Sequence, residues 1–203
     1  SIVAIGSTRT GSTLKAIVPN TQTARSLFVF DSFLTPAINA LSFRFYNPAQ
    51  AEFVIISHKS LMQAASGYAN PVKAYAGFRA SAAGGSYDTL VVTIDQLYNQ
   101  FNYGETSPRA IYEFMKYLVG EGSPKYLFLI GKGRDVSSGF HRLINPAPSV
   151  LKDLVPPAGS PGADMNYTAG LDGTTYEPAV PTGRLSASTS LQVAGYLNKI
   201  KEI

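Results

Sequence analysis

Three short runs of apolar residues most constrain the fold of this 203-residue chain. The runs are continuous rather than alternating, which is typical of parallel strands that are buried on both faces. They span Glu52–Ser57, Leu90–Ile94 and Tyr126–Ile130. The intervals between them are long enough for crossover helices, which a parallel sheet requires. The sequence therefore predicts an α/β domain in which a parallel sheet is flanked by helices.

Three helices are predicted around these strands. Asn70 and Pro71 suit the N-cap and the first position of one helix. Ser107 and Pro108 begin a second helix, which has a stripe of apolar residues at helical spacing. That stripe consists of Ile111, Phe114, Met115, Leu118 and Val119. Ser188 is predicted to cap a last helix, whose apolar face carries Val193, Tyr196, Leu197 and Ile200.

The first 50 residues have a different pattern. Short apolar runs such as Leu14–Val18 lie between glycine, proline, asparagine and threonine residues, which is typical of strands and turns. We therefore predict a β-rich N-terminal segment over residues 1–50 and an α/β subdomain over residues 51–203. Within the subdomain, residues 132–176 are predicted to form a long loop, and Ala179–Leu185 a further strand.

The composition excludes several classes of function. Apolar residues make up 45% of the chain and charged residues 15%, so a folded core is expected. The net charge is only +4 and the basic residues are scattered, so we expect no nucleic-acid partner. No apolar run reaches the length of about 18 residues that a membrane span needs. The chain has no cysteine, which excludes disulfides and a cysteine nucleophile within these residues.

Gly6–Thr13 is the first candidate binding motif. It nearly matches a phosphate-binding loop, with Ser12 at the position of the lysine, and it resembles the flavin-phosphate loop of flavodoxin-like reductases. Such a loop needs a helix N-terminus directly after it, whereas Leu14–Val18 contains β-branched residues and runs into Pro19. We favour a β-hairpin with a glycine-bearing turn, and keep a flavin- or nucleotide-binding protein as the alternative.

A second candidate, Gly131-Lys132-Gly133, directly follows the third strand. Open α/β sheets place their sites at the carboxyl ends of strands, but the third glycine of a dinucleotide fingerprint is missing here. The favoured interpretation is a turn that needs a positive φ angle, with a direct binding role as the alternative.

The two histidines, His58 and His141, are the candidate general bases. Neither has an acidic or histidine neighbour at metal-ligand spacing, and the chain has no G-x-S-x-G nucleophile motif. Both are therefore interpreted as structural or surface residues.

Four acidic residues near the long loop are candidate calcium ligands, because calcium prefers oxygen donors. They are Asp135, Asp164, Asp172 and Glu177. An EF-hand pattern is absent and Asp172 lies in a typical turn sequence, so no metal is predicted. Asn166 begins a glycosylation sequon, a pattern that is common by chance.

Residues 52–203 resemble the gingipain-type cysteine peptidase domain. The resemblance rests on a succession of segments rather than on any one of them. They are Phe53–His58, Leu90–Ile94, Asp95–Gly104, Ser107–Tyr117, Lys125–Gly131, Ala163–Tyr167, Leu171–Gly173, Pro181–Leu185 and Ala194–Ile203. Phe28–Pro36 resembles the sortase, or signal peptidase, branch of type IX secretion.

The resemblance implies a caspase-like fold of two subdomains, of which this chain is the first, Rossmann-like one. The family's catalytic histidine and cysteine belong to the second subdomain, so no catalytic residue is carried over to this sequence. The expected partners are the catalytic subdomain of the same polypeptide and protein substrates. The expected location is extracellular or on the outer-membrane surface of a bacterium.

One departure from the family concerns Lys132, which stands where the family usually has an aspartate that helps some members to bind calcium. We therefore predict no cofactor. Our hypothesis is that the Lys132 ammonium neutralises Asp135, Asp164 or Asp172 in place of a cation.

Together these features predict the structural N-terminal portion of a gingipain-like cysteine peptidase, inactive by itself. The parent reaction would be peptide-bond hydrolysis or transpeptidation through a thioester. The alternative is a non-catalytic binding or secretion module whose parent has lost the catalytic dyad.

Overall fold

The computed structural model of the chain describes residues 4–20, 22–29, 40–134, 153–159 and 161–202. The chain divides into two compact units, Ser1–Ala40 and Leu41–Ile203. The boundary inferred from the sequence, after residue 50, stays a prediction. None of the helices within the described residues has the length and hydropathy that a membrane span requires.

The first unit contains a β-hairpin. Strands β1 (Ser7–Thr10) and β2 (Thr13–Ala16) pair antiparallel, with Thr10 opposite Thr13, and Gly11 in the turn has a φ of 61°. The favoured hairpin is thus confirmed. The phosphate-loop interpretation of Gly6–Thr13 is wrong, because a strand follows the loop and provides no helix N-terminus to face a phosphate.

The second unit contains a parallel sheet of four strands in the order β4-β3-β5-β6. The strands are β3 (Phe53–Ser57), β4 (Thr89–Thr93), β5 (Tyr126–Ile130) and β6 (Thr182–Leu185). All five residues of β3 are buried, as its continuous apolar sequence indicated. The predicted α/β fold with a parallel sheet and flanking helices is confirmed.

Within the described residues, four α-helices accompany the sheet: α1 (Pro71–Ala80), α2 (Ile94–Phe101), α3 (Arg109–Glu121) and α4 (Ser190–Lys201). The side chain of Asn70 accepts a hydrogen bond from the Lys73 backbone, as expected of an N-cap. The predicted cap of α4 is wrong by one residue, since Thr189 and Gln192 form a capping box there.

The helices cover both faces of the sheet, and alternate residues of β3 show how. Val54 and Ile56 belong to one apolar cluster, which includes α2 and the predicted stripe of α3. Phe53 and Ile55 belong to a second cluster, which includes α1 and α4. The result is a three-layer domain whose core lies on both sides of the sheet.

Candidate functional site

The carboxyl ends of the four parallel strands meet at one edge of the sheet, which we call the carboxyl edge. In the sheet, β4 lies on one side of β3 and β5 on the other side. The direction in which the chain adds strands therefore reverses between β3 and β5. Open α/β sheets bind ligands at such a point. Here the buried Ser57 hydroxyl donates a hydrogen bond of 2.9 Å to the Ile130 carbonyl, which ties the two strand ends together.

The loop Gly131-Lys132-Gly133 follows β5 at this edge and is tightly packed. The backbone N–H groups of Gly131 and Lys132 donate to the carbonyls of Leu185 and Ala187, at 2.9 and 2.8 Å. Gly131 has a φ of 153°, and a Cβ there would lie 2.7 Å from a methyl carbon of Val155. The interpretation as a turn that requires glycine is confirmed, and both of these N–H groups are already used within the protein.

Arg184 in β6 organises the carboxyl edge. Its Nε and Nη2 atoms bind the two carboxylate oxygens of Asp164 at 2.6 and 2.7 Å. Its Nη1 atom donates to the carbonyls of Gly131 and Val155 at 2.8 and 2.7 Å. Nη2 also donates to the Pro156 carbonyl at 3.1 Å. All five N–H donors of the guanidinium therefore meet an oxygen, and we call this arrangement the Arg184 clasp.

Two neighbouring side chains complete the packing around the Arg184 clasp. The Tyr167 hydroxyl donates to the Pro156 carbonyl, and burial raises the pKa of Tyr167 well above its ordinary value. Tyr167 therefore remains a neutral donor. The buried Thr168 hydroxyl donates to the Val180 carbonyl at 2.9 Å. The polar side chains described at this edge thus bind other groups of the protein, as in a structural joint.

The acidic candidates do not converge within the described residues. Asp164 takes its counter-charge from Arg184, whereas Asp172 lies exposed in a turn with a φ of 52°. Glu177 is exposed too, and backbone hydrogen bonds, first its own and then that of Tyr176, lower its pKa. Asp135 lies outside the described residues. No group of three or more metal-ligating side chains occurs among residues 4–20, 22–29, 40–134, 153–159 and 161–202.

The pairing of Asp164 bears directly on the role assigned to Lys132. That side chain is exposed and forms no ion pair with any part of the chain that the structure describes. Because Arg184 already neutralises Asp164, and Lys132 forms no ion pair with Asp172, the hypothesis for Lys132 stays a prediction for Asp135 alone.

His58 has a structural role at the end of β3. It is the N-cap of a short 3-10 helix at Lys59–Met62, where its Nδ1 atom accepts from the Ser60 backbone at 3.2 Å. Burial lowers the pKa of His58, while nearby Asp95 acts in the opposite direction. The structural interpretation of this histidine is supported. His141 lies outside the described residues.

The sequence pattern predicts no separate role for the clasp residue Arg184, which belongs to the segment Pro181–Leu185. Its partner Asp164 lies 20 positions earlier in the chain. The available signal was an arginine inside a predicted strand, since such a residue needs acceptors when it becomes buried.

Comparisons with known proteins agree with this fold. The model of peptidase family C25 matches residues 46–203. No curated protein matches the chain. The crystal structure of dimeric latent PorU from Porphyromonas gingivalis is similar to this chain, with a TM-score of 0.52 and 19% sequence identity. The similar region covers 73% of this chain and 15% of the PorU chain.

The structural similarity establishes a shared fold, and the family match covers most of the second compact unit. Both agree with the segments that carried the resemblance in the sequence. The chain belongs to peptidase family C25, the gingipain family of cysteine peptidases.

Proposed function

We propose that this chain is the structural N-terminal subdomain of a gingipain-like cysteine peptidase, whose catalytic histidine and cysteine lie in another part of the same polypeptide. One observation carries the proposal: a member of a cysteine peptidase family has no cysteine among its 203 residues. The thiolate is the nucleophile in such enzymes, and no other side chain replaces it without a change of mechanism.

The geometry of the carboxyl edge supports a structural role. An acyl-transfer site needs a nucleophile, a base and free donors for the oxyanion. At this edge the described donors of Arg184, Ser57 and Tyr167 are bound to protein oxygens instead. The subdomain would therefore support the catalytic subdomain, and the parent protein would act on protein substrates outside the cell or at the outer-membrane surface.

The test compares the 203-residue chain with its full-length parent protein, using casein hydrolysis and transfer of a peptide to an added amine. We expect no activity from the chain and thiol-dependent activity from the parent, abolished by iodoacetamide. Transfer to the amine would support the sortase role, and hydrolysis alone would restrict the proposal to proteolysis.

Two outcomes would contradict the proposal. Activity of the purified 203-residue chain that survives iodoacetamide would mean that it holds its own nucleophile. A folded, unmodified parent without activity would favour the non-catalytic module instead. As a control for folding, the parent with Arg109→Gln should keep full activity, because the Arg109 side chain is 73% exposed.

A further inference from the structure

A cavity of about 370 Å³ lies at the opposite edge of the sheet, where the strands begin and which we call the amino edge. We call it the aromatic cavity, because five of its ten lining residues carry aromatic rings. Its main lining residues are Phe53, Tyr75, Arg79, Tyr87, Tyr126 and Phe128. The volume is within the range of sites for small organic ligands.

The only cation that lines this cavity among the described residues is Arg79 at the end of α1. Its guanidinium carbon lies 5.2 Å from the ring centre of Phe53 and 5.3 Å from that of Tyr75. Its Nε atom donates to the Tyr75 hydroxyl at 2.9 Å. Neither Nη atom has a hydrogen-bond or ion-pair partner anywhere in the described residues. Four N–H donors of a half-buried guanidinium thus remain available.

The chain after α1 holds one wall of the cavity in place. The backbone N–H of Tyr87 donates to the Arg79 carbonyl at 3.1 Å, which brings this tyrosine back to the helix end. Gly85 makes the return possible, since a Cβ there would lie 2.4 Å from the Tyr87 ring and its φ is 107°. The backbone therefore places Tyr87 beside the end of α1.

Gly183 opens another side of the cavity. It is paired with Phe128 in the sheet, and a Cβ at this position would lie 3.3 Å from the Phe128 ring. A glycine within a strand weakens it, and often marks a place that another group approaches closely. Without a side chain at this position, the ring of Phe128 remains open to the cavity.

We infer that the aromatic cavity binds a carboxylate attached to an apolar or aromatic group. The Nη atoms of Arg79 would donate to the two carboxylate oxygens, while the rings pack against the attached group. The Lys125 ammonium lies 5.9 Å from the Tyr87 ring centre, but it does not compete with Arg79, because it is 2.5 Å from the Glu52 carboxylate. The positive charge of Arg79 excludes cationic ligands, which aromatic cavities otherwise attract. The strong hydration of phosphate disfavours it in such surroundings.

The first experiment titrates the 203-residue chain with two pairs of probes, followed by NMR. One pair is phenylacetate and phenylacetamide; the other is glycyl-glycyl-phenylalanine and its C-terminal amide. We expect each acid to bind at least about tenfold more tightly than its amide, because hydrogen bonds to a charged partner are lost in the amide. Preference for phenylacetate would indicate a free small carboxylate, and preference for the peptide acid would indicate a polypeptide carboxyl group.

Variants then locate the binding. Arg79→Gln should weaken phenylacetate binding at least about tenfold, and Gly183→Val should block it by placing a side chain against Phe128. Arg79→Lys should give an intermediate result, because it keeps the charge and loses the planar fork. Arg109→Gln is the matched control and should bind as the unmodified chain does, since Arg109 lies outside the cavity.

Several results would overturn the inference. They are equal binding of acid and amide, unchanged binding by Arg79→Gln, stronger binding of inorganic phosphate, or no binding of any probe at about 10 mM. Thermal unfolding of each variant distinguishes a lost site from a lost fold. None of these outcomes depends on peptidase activity, so the proposed function is tested separately.

Discussion

Two arginines at opposite edges of the same sheet have different surroundings. Arg184 at the carboxyl edge directs all five N–H donors to protein oxygens, and its side chain is only 12% exposed. Arg79 at the amino edge directs one donor to a tyrosine hydroxyl and lies against aromatic rings. The number of donors that remain unused, rather than the residue type, separates a structural arginine from one that can bind a ligand.

The difference follows from the hydrogen-bond acceptors that surround each arginine. Leu154 and Val155 are buried in the loop over the carboxyl edge, so the carbonyls near them need donors in place of water. Arg184 supplies these donors and also binds the Asp164 carboxylate. The walls around Arg79 are rings with few acceptors, so the guanidinium is held by its faces and its N–H groups stay available.

The largest effect is expected for Arg184→Ala. It would leave the largely buried Asp164 carboxylate and three carbonyls without their donor, so we expect a loss of about 3–5 kcal/mol in the free energy of unfolding. Arg184→Lys should recover only part of this loss, because one ammonium cannot reach five acceptors. Urea unfolding of the 203-residue chain provides the measurement.

Arg109→Ala is the control for this prediction. Arg109 pairs with Glu113 one turn away on α3, and its side chain is 73% exposed, so the expected loss is about 0.3–0.5 kcal/mol. If Arg184→Ala cost no more than this control, the Arg184 clasp would not be a structural joint and the comparison between the two edges would fail.

A smaller effect is expected for Arg79→Ala. Its contacts with the rings contribute about 0.5–1 kcal/mol, and its hydrogen bond to Tyr75 a similar amount. We therefore expect a loss of about 1–2 kcal/mol by urea unfolding. Tyr75→Phe isolates the hydrogen bond and should cost about half as much. A loss as large as that of Arg184→Ala would mean that Arg79 is a structural arginine as well, which would contradict the proposed ligand site.

Much of the fold could be predicted from local sequence. The three apolar runs correspond closely to β3, β4 and β5, and the stripe of α3 is buried as expected. Helix α2 was not predicted. The run Leu90–Ile94 has the pattern of a strand, and the polar residues after it give no clear helical pattern for a helix of eight residues. Its local signal was the capping box formed by Thr93 and Gln96.

Neither edge of the sheet could be predicted in the same way. The partners of Arg184 come from three separate parts of the chain, so only the tertiary fold brings them together. The walls of the aromatic cavity extend in sequence from Phe53 to Gly183. In the sequence, Phe53 and Phe128 look like ordinary core residues of strands, and the absence of a side chain at Gly183 becomes meaningful only when its neighbour in the sheet is known.

The smallest effect concerns an exposed ion pair at the amino edge, between Glu52 and Lys125. One carboxylate oxygen of Glu52 lies 2.5 Å from the Lys125 ammonium, and the other accepts from the Asp88 backbone at 3.1 Å. These bonds, first that from Lys125, lower the pKa of Glu52 below its ordinary 4.5. A carboxyl group with a lowered pKa in the folded state stabilises the fold above its ordinary pKa, and the contribution is lost as the pH falls through the folded value. We therefore expect the unmodified chain to lose more stability below pH 4.5 than Glu52→Gln does, when both are unfolded in urea at a series of pH values. Lys125→Met should reduce the same pH dependence, because it removes the main cause of the lowered Glu52 pKa.

Parallel pH profiles for the unmodified chain and Glu52→Gln would show that the ion pair between Glu52 and Lys125 adds no stability at the amino edge. The contacts of Arg79 would then be the main polar support of that edge.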